Sequence, residues 1–158
     1  TIPVPILLFA LTIIIAAVVL RHTRLGRYTY AIGGNEETVK LSGINADLFK
    51  TVAYTISGLT AGLGAVVLTS RLNAGEPIAG TGYELDVIAS VVIGGTSLMG
   101  GKGGIGGTVI GILILMTLQT GLNITGIPAF YRYIATGLIL ITAVVIDQFT
   151  PERRTISA

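Results

Sequence analysis

Residues 3–20, PVPILLFALTIIIAAVVL, form an uncharged apolar run at the start of the chain. A helix of about 18 residues, at 1.5 Å each, reaches roughly 27 Å, which is close to the hydrocarbon thickness of a bilayer. Pro3 and Pro5 stand in the first turn of that helix, where proline costs least. The run therefore predicts a first transmembrane helix.

The composition of the rest of the chain agrees with a membrane protein. The 158 residues are 51% hydrophobic and only 11% charged, with a mean hydropathy of +0.82. A soluble domain carries about 25% charged residues. Basic residues follow the first apolar run instead of preceding it, which is opposite to a secretory signal peptide. The net charge of +2 comes from basic residues in short loops, and it does not indicate a nucleic-acid-binding surface.

Further apolar segments predict more membrane spans, at residues 51–70, 85–99, 105–122 and 133–146. The segment 85–99 is interrupted by Gly94 and Gly95 and contains Asp86. It is expected to cross the bilayer, to dip in and return, or to cross as a bent helix. A crossing is favoured over a re-entrant segment because it puts the basic-rich pieces 21–50 and 148–158 on one side, the cytoplasm.

The fold class predicted is thus an all-α polytopic transmembrane helical bundle, with about five membrane segments and an outward amino terminus. Residues 1–158 are expected to form a single, partial transmembrane domain. Two pairs of glycines spaced by four predict close helix packing, either inside the chain or against another subunit. These glycines are Gly58 with Gly62, and Gly107 with Gly111.

The longest polar connection, residues 21–50, is called the elbow below. Gly33 and Gly34 break the chain, and Asn35 is a favourable helix N-cap. Acidic residues in the first turn complement the free N–H groups, and Ser42-Gly43 suits a helix end. The elbow therefore predicts a helix of about two turns, a sharp turn, and a long helix capped by Asn45. The short helix either rests on the bilayer surface or docks onto a cytoplasmic partner.

The glycine loop, residues 94–104, belongs to the stretch GGTSLMGGKGGIGG, in which Gly101, Gly103 and Gly106 match G-x-G-x-x-G. A dinucleotide site also needs a preceding strand and an acidic residue about 20 positions later. Around position 126 there is no carboxylate, and Gly103 stands where a P-loop needs Ser or Thr after Lys102. The loop is therefore predicted to be a tight turn at the cytoplasmic membrane surface, with any nucleotide held by a separate subunit.

Four polar residues in or beside apolar segments are candidates for lining a solute path: Glu84, Asp86, Gln119 and Asn123. Carboxylates in membrane proteins usually face a cavity or a partner. The alternatives are hydration of Glu84 and Asp86 at the interface, and helix–helix hydrogen bonds for the two amides. Asp147 is expected to be interfacial and His22 solvated. With one His and no Cys, the sequence predicts no transition-metal site and no cofactor.

Two long stretches carry a family resemblance. AIGGNEETVKLSGINADLFKTVAYTISGLTAGLGA is followed by AGTGYELDVIASVVIGGTSLMGGKGGIGGTVIG, in that order and separation. Together they resemble permease subunits of bacterial ABC importers, in the ribose-type sugar branch of the branched-chain amino acid/ribose permease family. The family subunit is about twice as long, and the chain is similar to its carboxy-terminal half.

The resemblance implies that the short elbow helix is a coupling helix that sits in a groove of the ATP-binding subunit. It assigns this contact to Asn35, Glu36, Glu37, Thr38, Leu41, Ser42 and Gly43. It also implies sugar transport by alternating access in the bacterial cytoplasmic membrane. The implied partners are a separate ATPase, an extracytoplasmic sugar-binding protein, and a second permease subunit, identical or different.

Two other classes of function were weighed against this one. A passive channel or membrane scaffold has no reason for a capped docking helix. A membrane enzyme lacks an acid/base, nucleophilic or metal constellation in the sequence.

Overall fold

A computed structural model of the chain describes residues 3–149, apart from the side chains at positions 129, 132 and 146–149. Arg153, Arg154 and the side chain of Asp147 therefore lie outside the described part. Every regular element among the described residues is a helix. These are α1 (Val4–His22), α2 (Arg24–Gly34), α3 (Glu36–Leu41), α4 (Ala46–Leu72), α5 (Tyr83–Ile93), α6 (Ile105–Ile124) and α7 (Ala129–Phe149).

Three of these helices, α1, α4 and α6, are long and apolar enough to cross a membrane. A shorter apolar stretch, Tyr133–Val145, lies within α7. Large apolar side chains are exposed along all three long helices, as expected for surfaces that face lipid or neighbouring helices. The predicted class, a polytopic helical membrane protein, is confirmed.

The described residues divide into two compact units. The first contains the chain up to Thr81 together with Met99–Ile105, and the second contains Gly82–Leu98 and the chain from Gly106 onward. The loop that joins α5 to α6 thus contributes to the first unit although both helices belong to the second. That residues 1–158 form a single transmembrane domain stays a prediction.

In the first unit, α2 lies within residues 21–50, where the sequence predicts a polar connection and no helix before Asn35. The Thr23 hydroxyl donates to the Val19 carbonyl over 2.7 Å, and the same oxygen caps α2 by accepting the Gly26 amide at 3.4 Å. Gly26 is buried against the Leu20 backbone, and only a residue without Cβ fits there. The ring of Tyr28 packs edge-on against Phe49, with centroids 4.8 Å apart, which fixes α2 on α4.

In the second unit, α5 and α6 form an antiparallel hairpin. Gly94 lies against Gly107, and Ser90 lies against Gly111, so the two backbones approach directly. Helix α7 packs on α5. Among the described residues of this unit, the buried ones are Ala89, Ser90 and Val92 of α5, Gly111 and Leu115 of α6, and Thr136 of α7.

The predicted crossing at residues 85–99 is not a continuous helix. Helix α5 has 11 residues, which extend over roughly 16 Å, about half of the hydrocarbon thickness. Helix α4 leads away from the elbow, yet Gly100 lies beside Gly33 at the elbow again. Turns also precede α5, between Leu72 and Tyr83, so the short helix has turns on both sides. That segment 85–99 crosses the bilayer stays a prediction.

The predicted orientation leads to a labelling experiment on the complete permease in a cysteine-free background. Because the basic residues place the elbow in the cytoplasm, His22→Cys should be shielded from an impermeant thiol reagent in intact cells. Ala79→Cys, beyond the other end of α4, should react. Ser157→Cys, outside the described residues, should be shielded like His22→Cys. Labelling of His22→Cys from outside would reverse the topology.

Candidate functional site

Helix α3 begins and ends at side chains that satisfy its free backbone groups. The Asn35 side-chain oxygen accepts the Thr38 amide at 3.0 Å, and Glu36 and Glu37 occupy the first turn. At the other end the Ser42 hydroxyl donates to the Thr38 carbonyl over 2.9 Å. The predicted N-cap is confirmed, although the helix has six residues and is thus shorter than two turns.

A glycine turn directs the chain from α3 into the membrane helix α4. Gly43 has a φ of 79°, which an L side chain adopts only under strain, and its amide donates to the Lys40 carbonyl. Two residues later the Asn45 side-chain oxygen accepts the Leu48 amide at 3.1 Å and caps α4. The predicted sequence of short helix, sharp turn and capped long helix is confirmed.

Ion pairs connect α3 to the first turns of α4. Glu36 pairs with Lys40 at 2.8 Å and with Lys50 at 2.5 Å. The hydrogen bonds from Lys40 and then Lys50 lower the pKa of Glu36 from 4.5 to about 2, and the bond to Glu36 raises the pKa of Lys40. A lowered carboxyl pKa stabilises the folded state above pH 4.5, and this contribution is lost as the pH falls toward 2. Both ion pairs therefore persist at physiological pH.

The two apolar side chains near the end of α3 point to different environments. Val39 is 7% exposed and anchors the helix within the elbow. Leu41 is 85% exposed, and Leu48, on the first turns of α4, is also exposed. The elbow thus holds a short helix rigidly by one face and presents a large apolar side chain on another.

The glycine loop adopts conformations that favour glycine at several positions: Gly95, Gly100, Gly101 and Gly103 all have positive φ. Residues 88–93, which resemble a strand in sequence, belong to helix α5. A dinucleotide motif needs a strand there, so the structural context of that motif is missing. Gly106 lies in the first turn of α6, outside the loop.

Asp86 and Gln119 meet across the α5–α6 hairpin. The Gln119 Nε2 donates to the Asp86 Oδ1 over 2.7 Å, and both side chains are half-buried. Gln119 lies 14 residues after the start of α6, roughly 21 Å along its axis, so the pair lies within the length of this candidate membrane span. Glu84 and Asn123 are exposed instead.

The two predicted glycine pairs have different surroundings. A Cβ on Gly111 would lie 2.0 Å from the Ser90 carbonyl oxygen of α5, and one on Gly107 would lie 2.0 Å from the Gly94 oxygen just after α5, so these two glycines pack inside the second unit. Within the described residues, nothing lies within 4 Å of a Cβ built on Gly58 or Gly62. That face of α4 stays open toward lipid or another chain segment.

Sequence reasoning missed a contact between α2 and the glycine loop. The Tyr30 hydroxyl donates to the Gly103 carbonyl over 2.8 Å, and Gly33 lies against Gly100 and Gly101. The partners are about 70 residues apart in sequence. No local pattern predicts such a pairing.

Three helices long and apolar enough to span a membrane, together with a capped elbow helix, define a polytopic helical membrane protein as the class of protein. Comparison with known proteins gives the family. The profile described as branched-chain amino acid transport system / permease component matches residues 1–144, and the chain belongs to that family.

Among curated proteins, the chain is 48% identical to the ribose import permease protein RbsC of Escherichia coli K12, over 93% of the chain. The identity to the protein of the same name from Bacillus subtilis 168 is also 48%. The xylose transport system permease protein XylH of E. coli K12 is 43% identical over 96% of the chain. The chain spans 46% of the length of the ribose permeases and 39% of the xylose permease. No solved structure matches.

Proposed function

We propose that the chain forms the coupling half of a sugar permease in an ATP-driven importer of the bacterial cytoplasmic membrane. Helix α3 docks in a groove of a separate ATP-binding subunit, which hydrolyses the nucleotide. Closure of the ATPase moves the elbow, and the membrane helices alternate between outward-open and inward-open states. Differential contacts in the two states supply the energy for this change.

The observation that carries this proposal is the construction of the elbow. A six-residue helix is unstable alone in water, yet here it is capped by Asn35, ion-paired through Glu36 and anchored by Val39. Its apolar Leu41 remains exposed. A passive channel or a scaffold has no need of such a rigid, exposed helix, whereas an ATPase-driven permease does.

The names of the relatives, ribose import permease and xylose transport permease, support the choice of solute and of the remaining partners. We assign a ribose-like or related monosaccharide as solute, delivered by an extracytoplasmic sugar-binding protein. A second permease subunit, identical or different, completes the path, and the open glycine face of α4 is a candidate surface for it or for helices of the complete subunit. Reconstitution of the complete permease with its ATPase, followed by ATP-dependent ribose and xylose uptake, tests this assignment.

We further propose that Asp86 and Gln119 line the solute path, with Glu84 and Asn123 near its outer end. A carboxylate and an amide offer acceptors and donors that match the hydroxyl groups of a neutral sugar. Asp86 lies in the first turn of α5, a short apolar helix with turns on both sides, and short or interrupted helices often carry substrate sites in transporters.

Gln119→Leu should lower the initial rate of sugar uptake by about tenfold while ATPase association is retained. The reason is that the Asp86 carboxylate loses its donor, and an unsatisfied partially buried acceptor costs on the order of 1–3 kcal/mol. Thr117→Val is the matched control, since Thr117 is exposed on the same helix and bonds only to its own turn. Equal uptake by both variants, with the same ribose-to-xylose preference, would remove Asp86 and Gln119 from the solute path.

A further inference from the structure

The glycine loop is held directly beside the base of the coupling helix. The Tyr30 hydroxyl binds the Gly103 carbonyl, and a Cβ on Gly33 would lie 2.4 Å from the Gly101 amide nitrogen. Conversely, a Cβ on Gly100 would lie 2.6 Å from the Gly33 carbonyl oxygen. The two backbones therefore meet without side chains between them.

This contact lies two residues from the coupling helix. Gly33 is followed by Gly34, and then by Asn35, the N-cap of α3. Gly34 itself has open space around a built Cβ. A displacement of α3 thus acts on the end of α2, next to the contact between Gly33 and the glycine loop.

The loop also continues into the helices that carry the polar pair. Its first residue, Gly94, follows α5, and its last, Gly104, precedes α6. The stretch Met99–Ile105 packs with the elbow in the first unit, whereas α5 and α6 belong to the second. Backbone contacts at Gly94 and Gly107 close their antiparallel hairpin. A displacement of the loop therefore acts on both helices, because the chain continues from the loop into each of them.

We propose that the contact of Tyr30 and Gly33 with the glycine loop is the mechanical link that transmits motion of the coupling helix to the α5–α6 hairpin. This deepens the docking role proposed above for α3 and rests on it. The glycine-rich sequence of the loop then has a function distinct from phosphate binding. It allows the loop backbone to lie directly on the backbone of α2, and the chain continues from the loop into α5 and α6.

Two neighbouring glycines of α2 provide a matched test in the complete permease. Gly33→Ala forces Gly101 and the rest of the loop away from α2, whereas Gly34→Ala makes the same chemical change where no described residue lies within 4 Å. In the purified permease alone, Gly33→Ala should speed amide hydrogen exchange of residues 99–105 about tenfold, as overpacking against backbone predicts. Gly34→Ala should leave that exchange unchanged.

The functional readout is sugar transported per ATP hydrolysed, in proteoliposomes with the ATPase. Gly33→Ala should co-purify with the ATPase, because α3 keeps its docking face, yet lower the transport ratio about tenfold. Tyr30→Phe removes only the bond to Gly103 and should lower the ratio by up to about fivefold. Tyr28→Phe is its control, because the ring contact of Tyr28 with Phe49 needs no hydroxyl.

Several results would overturn the proposed link. One is an unchanged rate of amide hydrogen exchange at residues 99–105 in Gly33→Ala. Another is a transport ratio that falls as much in Gly34→Ala as in Gly33→Ala. A normal transport ratio in both Gly33→Ala and Tyr30→Phe would do the same, and it would leave the docking role of α3 intact. Failure of the docking role gives a different result, namely that the permease co-purifies with the ATPase even when Leu41 is replaced by aspartate.

Discussion

The permease carrying Leu41→Asp should insert into the membrane normally, lose its ATPase on purification, and transport no sugar. Leu41 is 85% exposed at the end of α3, and we place it in an apolar groove of the ATPase. A carboxylate desolvated there without a partner costs several kcal/mol. Because each 1.4 kcal/mol is tenfold in affinity, the complex should weaken by at least about a hundredfold.

Two other substitutions at the same position separate docking from helix stability. Aspartate at the last residue of α3 also opposes the helix dipole, whereas lysine there favours it. Leu41→Lys should therefore keep α3 folded and still release the ATPase. Leu41→Met preserves the apolar volume and should retain assembly and uptake.

The measurements are co-purification with the ATPase and ATP-dependent uptake in vesicles, for all three variants of the complete permease. Val39, which anchors α3 from its buried side, remains in place in each. If Leu41→Asp co-purified with the ATPase and transported normally, α3 would be a surface helix that rests on the bilayer. A passive channel or a membrane scaffold would then be the better assignment of function to this chain.

The elbow was predictable from sequence because its determinants are local. Asn35, Gly43 and Asn45 act on backbone groups within three residues of themselves, so their types alone indicate where helices begin and end. The long spans were predictable for a similar reason, since uncharged length is sufficient. The glycine-rich segment from Gly94 onward was correctly predicted to be a turn.

The contacts that organise the candidate sites were not predictable in the same way. Gln119 and Asp86 are 33 positions apart, and Tyr30 and Gly103 are 73 apart, so no window of sequence contains both partners. Hydropathy alone did not fix the length of α5, because it counts apolar residues and does not detect the turns on either side of the helix. Helix α2 was not predicted because its basic residues are typical of a solvated loop. Its packing on α1 depends on the close approach of Gly26 to the Leu20 backbone, which sequence alone does not indicate.

Gly111→Ala should strongly destabilise the permease. The built Cβ lies 2.0 Å from the Ser90 carbonyl oxygen and 2.9 Å from the Gly94 amide nitrogen. Both obstacles are backbone atoms, of α5 and of the residue that follows it, so no side chain can rotate away. Overpacking costs typically 1–3 kcal/mol and occasionally more, and we expect about 3 kcal/mol here because the two helices must separate.

The same substitution at Gly121 is the control within the same helix. Within the described residues, nothing lies within 4 Å of a Cβ built on Gly121. Alanine is a better helix former than glycine by about 1 kcal/mol, so Gly121→Ala should be neutral or slightly stabilising. Thermal unfolding of the purified permease, followed by circular dichroism, should therefore place Gly111→Ala at least about 6 °C below the control.

Transport adds a second readout to the Gly111 comparison. Separation of α5 from α6 also pulls Asp86 away from Gln119, whose side chains meet at 2.7 Å. Gly111→Ala should thus abolish uptake even in the fraction that stays folded, while the ATPase remains bound to α3. Equal thermal stability and equal uptake for Gly111→Ala and Gly121→Ala would show that α5 and α6 do not meet closely. A hairpin that moves as one body requires their close contact.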